Sequence, residues 1–325
     1  MKSYELTLRP LSDFGTPLKG DTLFGCFCWQ AAYDESLIEG GLEEALKIYD
    51  LRPFAVFSSA FLKIGEVAPT YVFKRPDLPL SRIFPDHGTD RKTRYETQRE
   101  NKRRKWMAVE KELTINLKKA RFFDTQGLTG AFDIRLPMPS ARPHNTINRL
   151  TLSTGTGAFA PYEMETLIYP SNAMLAVVIL IDEQRTSAEL IQKGLRKIGQ
   201  FGFGRDASIG MGRFCVEGCQ EITDNYGEHA PGCYTLAPCV PDASEAKQIF
   251  FSPFIRYGKH GDLLATRGSP FKKPVVMADE GAVVLRQPGE GVDKPYIGKA
   301  VRGISMVQRT AVLQGYSPFI PITLE

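Results

Sequence analysis

A glycine-rich segment, residues 202–213, has the composition best suited to binding chemistry; it reads GFGRDASIGMGR. Glycine has no Cβ and tolerates positive φ, so such a segment brings backbone N–H groups close to phosphates. It is neither a dinucleotide fingerprint, which follows a strand and opens a helix, nor a P-loop, which needs Gly-Lys-Ser/Thr. The segment therefore predicts a phosphate-binding loop, with a purely structural turn as the alternative. The candidate residues are Gly202, Phe203, Gly204, Arg205, Ser208, Gly210, Gly212 and Arg213.

Three aromatic residues flank this segment, Phe201, Phe203 and Phe214. Each ring has a face on which an unstacked base could stack, and each could equally anchor the loop to the core. Of the three, Phe203 is retained as a candidate binding residue.

A second polar cluster lies in residues 142–151, which read RPHNTINRLT. Arginine and asparagine side chains there are able to hydrogen-bond polar or anionic partners. A histidine beside two arginines could instead be the general acid or base of a ribonuclease. The four histidines of the chain are far apart in sequence, without visible partners, which favours an exposed loop histidine over a catalytic one. The candidates are Arg142, His144, Asn145, Asn148 and Arg149, and the other histidines are His87, His229 and His260.

Four cysteines in the second half, with a nearby histidine, form a possible zinc set, because thiolates and imidazoles suit that metal. Their separations of three, thirteen and five residues differ from the tight pairs of zinc knuckles. No metal and no cofactor are therefore predicted, with zinc kept as the alternative. The set is Cys215, Cys219, Cys233 and Cys239 with His229. Cys26 and Cys28 lie on an apolar helix and are predicted to be reduced core thiols.

Hydrophobic periodicity predicts the elements that position these residues in the order β-α-β-β-α-β. This is the ferredoxin-like or RRM-like order. Asp21 is predicted to be an N-cap rather than a metal ligand. The predicted elements are a strand at 3–10, a helix at 21–33, a strand at 54–62, a strand at 173–181, a helix at 187–200 and a strand at 213–217.

A long insertion, at about residues 75–170, interrupts this first unit. Eight basic and two acidic residues lie between Arg91 and Lys105, within a helix predicted to continue to about Phe123. That stretch is either a solvated helix or a docking patch for nucleic acid or protein. Residues 134–170 alternate strand-like pieces with turn residues, which predicts a projecting hairpin, or thumb.

The second half predicts a connector at 223–243 and strands at 248–257, 274–277, 282–285 and 319–324. The predicted fold class is α+β, with two tandem ferredoxin-like (RRM-like) domains at 1–218 and 219–325. The first carries the insertion with its basic helix and thumb hairpin.

The composition of the 325 residues, 42% hydrophobic and 24% charged, is that of an ordinary globular chain. The first residues alternate like a strand, and no apolar run is long enough to span a bilayer, so no signal peptide, no membrane contact and a cytoplasmic location are predicted. Lysine and arginine total 41 against 37 acidic residues, so any signal for nucleic acid lies in the distribution of charge.

Four segments, in order, resemble the RAMP superfamily of CRISPR RNA-binding proteins. They are residues 19–25 (KGDTLFG), 142–151, the glycine-rich segment 202–212 and residues 314–322 (QGYSPFIPI). Together they are similar to the handle-capping subunits of type III-A Csm effector complexes. Asn148 stands where that family usually has an acidic residue.

This resemblance implies a non-catalytic subunit that binds and caps the 5′ handle of crRNA in antiviral defence. Its glycine-rich loop would hold phosphates and its thumb would splay bases, and Lys19 in the first segment joins the RNA-binding candidates. The implied partners are crRNA, the large polymerase-type subunit, the backbone RAMP subunit and, indirectly, target RNA. A repeat-processing endoribonuclease of the same superfamily, a general single-stranded RNA-binding module and the equivalent subunit of another type III branch are the alternatives.

Overall fold

The computed structural model describes residues 1–85, 90–222, 231–266, 269–286 and 294–324. Two of the histidines considered above, His87 and His229, lie outside the described residues. The predicted α+β class is confirmed, since the described residues form two large sheets, two hairpins and six α-helices. The helices are α1 (Gly20–Tyr33), α2 (Gly41–Lys47), α3 (Leu80–Ile83), α4 (Arg91–Arg103), α5 (Thr125–Phe132) and α6 (Ala188–Phe201).

The larger sheet has eight strands, and α1 and α6 pack on one of its faces. Its strands are β1 (Lys2–Pro10), β2 (Ala55–Phe57), β3 (Phe61–Ile64), β4 (Thr70–Lys74), β5 (Trp106–Val109), β7 (Arg121–Phe123), β10 (Met174–Ile181) and β11 (Phe214–Glu221). They lie in the order β11-β1-β10-β3-β4-β5-β7, with β2 also paired to β10. With the insertion left aside, the elements follow the predicted order only in part, because the predicted strand 54–62 is divided into β2 and β3 and the additional strand β4 follows them. The strand β1 is antiparallel to both its neighbours, β10 and β11.

The smaller sheet has six strands, five of them from the second half. They are β6 (Ile115–Asn116), β12 (Gly232–Thr235), β13 (Gln248–Phe250), β16 (Val283–Leu285), β17 (Tyr296–Gly298) and β18 (Tyr316–Thr323). The predicted strands 282–285 and 319–324 correspond to β16 and β18, and 274–277 to β15 (Val275–Ala278). The predicted strand 248–257 is divided into β13 and β14 (Pro253–Arg256), of which β14 forms a separate hairpin with β15. The predicted connector 223–243 was wrong in part, because it contains β12. No α-helix occurs among the described residues after 219, so a second β-α-β-β-α-β order is not found there.

The insertion differs from its prediction after Arg103, where α4 ends instead of continuing to about Phe123. The Arg75 guanidinium donates to the carbonyls of Asn101 (2.8 Å) and Arg104 (2.9 Å), and so caps the C-terminal end of the helix. The next residues form β5, whose Met107 and Val109 are buried. Pairing of β5 with β4, and of β7 with β5, then extends the larger sheet.

The thumb is confirmed as a hairpin. Its strands β8 (Met138–His144) and β9 (Tyr162–Ile168) pair antiparallel over their full length. The tip, residues 145–161, contains a short 3₁₀ turn at Gly157–Phe159.

A hydrophobic core shared by the two sheets joins the halves of the chain. Phe61 and Phe73 of the larger sheet pack with Tyr234 and Ile320 of the smaller sheet, and the rings of Phe73 and Tyr234 lie 5.8 Å apart. The strand β6, from the insertion, pairs in parallel with β18. The domain boundary at 218/219 stays a prediction. No helix among the described residues is long and apolar enough to cross a membrane.

Candidate nucleic-acid interface

The glycine-rich segment forms a closed loop between α6 and β11. Phe203 N donates to Gly212 O (2.9 Å), and Gly212 N donates to Asp13 O (2.7 Å). Gly212 has φ of +70°, and a Cβ there would lie 2.1 Å from the carbonyl oxygen of Phe203. Only glycine allows this approach of the two sides of the loop.

The outer side of the loop offers hydrogen-bond donors and positive charge to solvent. The backbone N–H groups of Asp206, Ala207 and Ser208 make no hydrogen bond with any described residue. The side chains of Ser208 and Arg213 are exposed. Arg205 Nε and Asp206 Oδ2 lie 3.5 Å apart, both buried and without a hydrogen bond. Successive free amides beside arginines are an arrangement that accepts phosphate oxygens.

The base of the thumb is bonded to this loop through the segment that follows β1. Phe14 and Leu167 exchange two backbone hydrogen bonds, of 2.9 and 2.8 Å. Arg205 N donates to Thr16 Oγ1 (3.0 Å), and the guanidinium of Arg205 donates to Glu165 O on β9. The glycine-rich loop, residues 11–18 and the thumb therefore form one continuous surface, which we call the loop–thumb surface. Sequence reasoning missed Phe14 and Thr16, because no motif marks them.

The polar thumb residues lie on an exposed hairpin. Arg142, Asn145 and Arg149 are exposed, whereas His144 is half-buried. The ring of His144 stacks on that of Tyr162 across the hairpin, with centroids 5.4 Å apart at 16°. No carboxylate hydrogen-bonds His144 in the described part of the chain, and its Nε2 is buried without a partner. A general-base histidine is normally oriented by a hydrogen bond to a third group such as a carboxylate, and the described residues show none beside His144.

Asn148 has a local role at the tip of the thumb. Its Oδ1 accepts from Leu150 N (2.9 Å), and its backbone N–H donates to Ser153 O (3.0 Å). This is an Asx turn, a conformation that asparagine and aspartate side chains both stabilise. The tip also exposes Leu150 (95%) and Leu152 (82%), an apolar feature that sequence reasoning missed.

Phe203 requires a correction as a candidate for base stacking. Its side chain is fully buried in the core that α6 forms with the larger sheet, so it anchors the loop. The exposed ring of this segment is that of Phe201, with 73% of its surface accessible.

Lys19 lies apart from the loop–thumb surface, in an ion cluster between the two halves of the chain. Its side chain is 12% exposed, and its ammonium binds Asp279 and Glu280 (2.7 Å to the latter) and lies 4.4 Å from the centre of the Phe254 ring. Burial alone would raise the pKa of Asp279, but a hydrogen bond with Glu280 and two lysine charges bring it below its ordinary value. The charge of Lys19 is thus neutralised within the protein.

Asp21 is not the N-cap that the sequence predicted. The helix α1 begins one residue earlier, with Lys19 in the cap position and no side-chain cap. The carboxylate of Asp21, 1% exposed, instead binds the guanidinium of Arg256 through two hydrogen bonds, one of 2.6 Å.

The cysteines of the zinc alternative are dispersed. Cys233 and Cys239 are buried in two different small cores, and the Cys215 thiol donates to Glu217 Oε1 (2.9 Å). Within the described ranges no three metal-ligating side chains cluster. Burial raises the pKa of Cys26 and of Cys28 to about 12, which keeps both thiols protonated.

Comparison with known proteins identifies the fold. No protein-family model and no curated protein matches the sequence. Among solved structures, a chain of the Csm1–Csm4 cassette in complex with pppApA is 15% identical, with a TM-score of 0.58 over 100% of this chain and 99% of that one. A chain of the Csm3–Csm4 subcomplex of the type III-A CRISPR-Cas interference complex is 12% identical, with a TM-score of 0.57 over 99% and 100%.

Csm4 is the component that these two assemblies have in common. The chain has a Csm4-like fold. A second Csm1–Csm4 cassette, in complex with cA4, gives a TM-score of 0.59 at 14% identity, over 99% of both chains. Each of these three comparisons covers nearly all of both chains.

Proposed function

We propose that this chain is a non-catalytic subunit of a type III-A CRISPR effector complex, which binds and caps the 5′ handle of crRNA on the loop–thumb surface. The observation that carries the proposal is the bonding of the glycine-rich loop to the thumb base through Arg205. It brings the free amides of residues 206–208 next to a hairpin with the exposed Arg142 and Arg149. Amides and arginines suit the phosphates of a single strand, and arginine planes suit its splayed bases.

The fold that we infer is a pair of ferredoxin-like units, residues 1–218 and 219–325. The strand order β11-β1-β10-β3 supports the first unit. For the second unit, the support is the smaller sheet, since no α-helix occurs among the described residues after 219.

The partners that we infer, besides crRNA, are the large polymerase-type subunit and the backbone RAMP subunit, with target RNA reached indirectly. The names of the similar assemblies support this inference, since a Csm4-like chain occurs in them with Csm1 and with Csm3. The complex would act in the cytoplasm.

Binding and cleavage of crRNA test the proposal. The purified chain is titrated with labelled crRNA carrying its 5′ handle and with the same RNA lacking the handle, for the wild type, Arg149→Ala and the control Arg309→Ala. Arg309 is exposed and lies outside the loop–thumb surface. We expect tighter binding of the handle RNA, a loss of that preference only in Arg149→Ala, and no cleavage.

Two other outcomes would replace the proposal. Cleavage that disappears in His144→Ala would identify a ribonuclease. Equal affinity for both RNAs would identify a general RNA-binding module.

A further inference from the structure

The basic helix α4 lies in a strongly positive segment that takes no part in the proposed handle-binding site. Twelve lysines and arginines and four glutamates lie between Arg91 and Arg121, a net charge of +8. The whole chain carries only +4, so the remainder carries −4. The positive charge of this protein is therefore concentrated in one segment of its insertion.

The charges of α4 are directed to one side of the helix. At 100° per residue, five basic side chains and Tyr95 fall within an arc of about 120°. The half-buried Asn101, whose carbonyl Arg75 holds, lies on the opposite side. The basic face, as we call it, is thus directed away from the body of the protein; it comprises Arg91, Lys92, Tyr95, Arg99, Lys102 and Arg103.

The lysines and arginines of the basic face differ from the ion-paired basic side chains found elsewhere in the protein. No carboxylate of the described residues lies within 4 Å of any of them. By contrast, Lys19, Lys63 and Arg256 each bind a buried or half-buried acid. The described carboxylates of this chain therefore do not neutralise the basic face, and its charges are available to a partner.

A groove extends the basic face toward the edge strand β7. It has a volume of about 590 Å³ and is lined by three basic residues, Arg103, Arg104 and Arg121, by Phe122 and Phe123, and by two acidic residues, Glu100 and Asp124. Arg121 also lies 6.0 Å from the ring of Phe123. Arginines interleaved with aromatic rings are a surface to which nucleic acid binds.

The polar character of α4 favours nucleic acid over protein as its partner. All its side chains except that of Asn101 are exposed, and Tyr95, 70% exposed, is its one large apolar side chain. A protein interface has an apolar core that this helix does not offer. The face extends about 18 Å, which corresponds to about five nucleotides along the axis of a duplex at ~3.4 Å each.

The position of α4 separates it from the loop–thumb surface. It lies in the connection from β4 to β5, whereas the glycine-rich loop leads into β11 at the opposite edge of the sheet. Four strand spacings separate β4 from β11, or about 19 Å. We propose that the basic face is a second, sequence-independent binding site for the phosphodiester backbone of nucleic acid, distinct from the proposed handle site.

Neutralisation of the basic face in the full chain tests this proposal. The variant is Arg99→Gln/Lys102→Gln/Arg103→Gln, and the matched control, Lys247→Gln/Lys273→Gln/Arg309→Gln, removes the same charge at other exposed positions. The probes are a polyuridine strand without any handle, an RNA duplex and a DNA duplex, each of about 30 nucleotides per strand. Affinity is measured over a series of salt concentrations, and thermal unfolding checks that each variant is folded.

We expect the basic-face variant to bind polyuridine with a slope of log K against log[salt] that is smaller by about 2, since each lost contact with a single strand removes about 0.7. For a duplex the decrease is about 2.7. The three probes show whether the site takes a single strand, an RNA duplex or a DNA duplex. The control should keep the wild-type slope.

Three results would overturn the proposal. These are unchanged slopes in the basic-face variant, equal losses in the control, and intact nucleic-acid binding with failure to assemble with other subunits, which would assign the face to a protein. The handle preference is scored separately. If the wild type shows no handle preference but the basic-face variant loses salt-dependent affinity, the proposed function fails and this inference stands.

Discussion

Asp21 and Arg256 form a buried ion pair between α1 and β14. The carboxylate is 1% exposed and the guanidinium 17% exposed, and the latter also lies 4.7 Å from the centre of the Phe254 ring. An aspartate directly before an apolar helical pattern suggests an N-cap, because capping depends on residues close in sequence. The actual partner lies 235 residues away, and nothing in the local pattern indicates it.

Removal of the arginine from this pair should destabilise the protein strongly. Arg256→Met keeps most of the side-chain volume but leaves the carboxylate of Asp21 buried without a partner, so we expect a loss of about 3–5 kcal/mol in the free energy of unfolding. Denaturant titration of this variant, beside the exposed-site control Arg309→Met, measures the loss. Adding Asp21→Asn to Arg256→Met should recover part of the lost stability. Equal stability of Arg256→Met and the control Arg309→Met would contradict the role given to the ion pair.

His260 should make the stability of the fold depend on pH. It is 5% exposed, its Nε2 lies 2.7 Å from Ser305 Oγ, and burial, followed by the charge of Lys272, lowers its pKa below the ordinary 6.5. The unfolded chain therefore binds the proton more readily, so this contribution is complete above about pH 6.5 and is lost as the pH falls toward the folded-state pKa. The melting temperature between pH 8 and about pH 5 should fall less in His260→Gln than in the wild type. Parallel curves would rule out His260 as the cause.

Gln314, at the element scale, binds the end of β2 to the chain just before β18. Its side chain, fully buried, accepts from Phe57 N (2.9 Å) and donates to Phe57 O (2.8 Å). The side-chain amide thereby satisfies the backbone N–H and C=O groups of Phe57, as the backbone of a neighbouring strand would. The tail segment that resembles the RAMP family is thus, in this structure, a joint between the halves of the chain.

Substitution of this amide should weaken the joint. Gln314→Leu leaves both backbone groups of Phe57 buried without partners, and at about 1–3 kcal/mol for each group we expect a loss of about 2–6 kcal/mol. Equilibrium unfolding in urea measures it, with the exposed Gln308→Leu as the control. A loss below that of the control would show that water replaces the amide at this site.

Elements with a strong local pattern could be predicted from the sequence, and those that depend on distant pairing could not. The helix α6 buries Ile191, Leu195 and Ile198 at helical spacing, so its pattern alone predicts it. The strand β5 has four residues and follows a basic helix directly, and its conformation depends on the ladder with β4. Of the candidate site, the glycine-rich loop and the thumb were predictable, whereas the burial of Phe203 and the pairing of Lys19 arise from tertiary packing.

The two halves of the whole molecule share one core, so they are expected to depend on each other for stability. Without the second half, residues such as Phe61 and Phe73 would lose their cover from Tyr234 and Ile320. Exposed apolar patches of that kind promote aggregation. The boundary at 218/219 would then separate two units that do not fold independently.

Expression of residues 1–218 alone tests this dependence. We expect a fragment that binds a hydrophobic dye and aggregates, and we expect co-expression with residues 219–325 to restore a soluble complex. Size-exclusion chromatography and dye fluorescence report the two states. A monomeric fragment with a cooperative unfolding transition would show that the first half is self-sufficient.

The parallel pairing of β6 with β18 has a consequence for biosynthesis. Residues 115–116 leave the ribosome long before their partners at 322–323, roughly 200 positions later, so the smaller sheet cannot close while the nascent chain is still short. High contact order of this kind slows folding and leaves the edge of β6 open to other chains in the interval. The smaller sheet therefore stays one strand short until translation is almost finished, whatever the state of the rest of the fold.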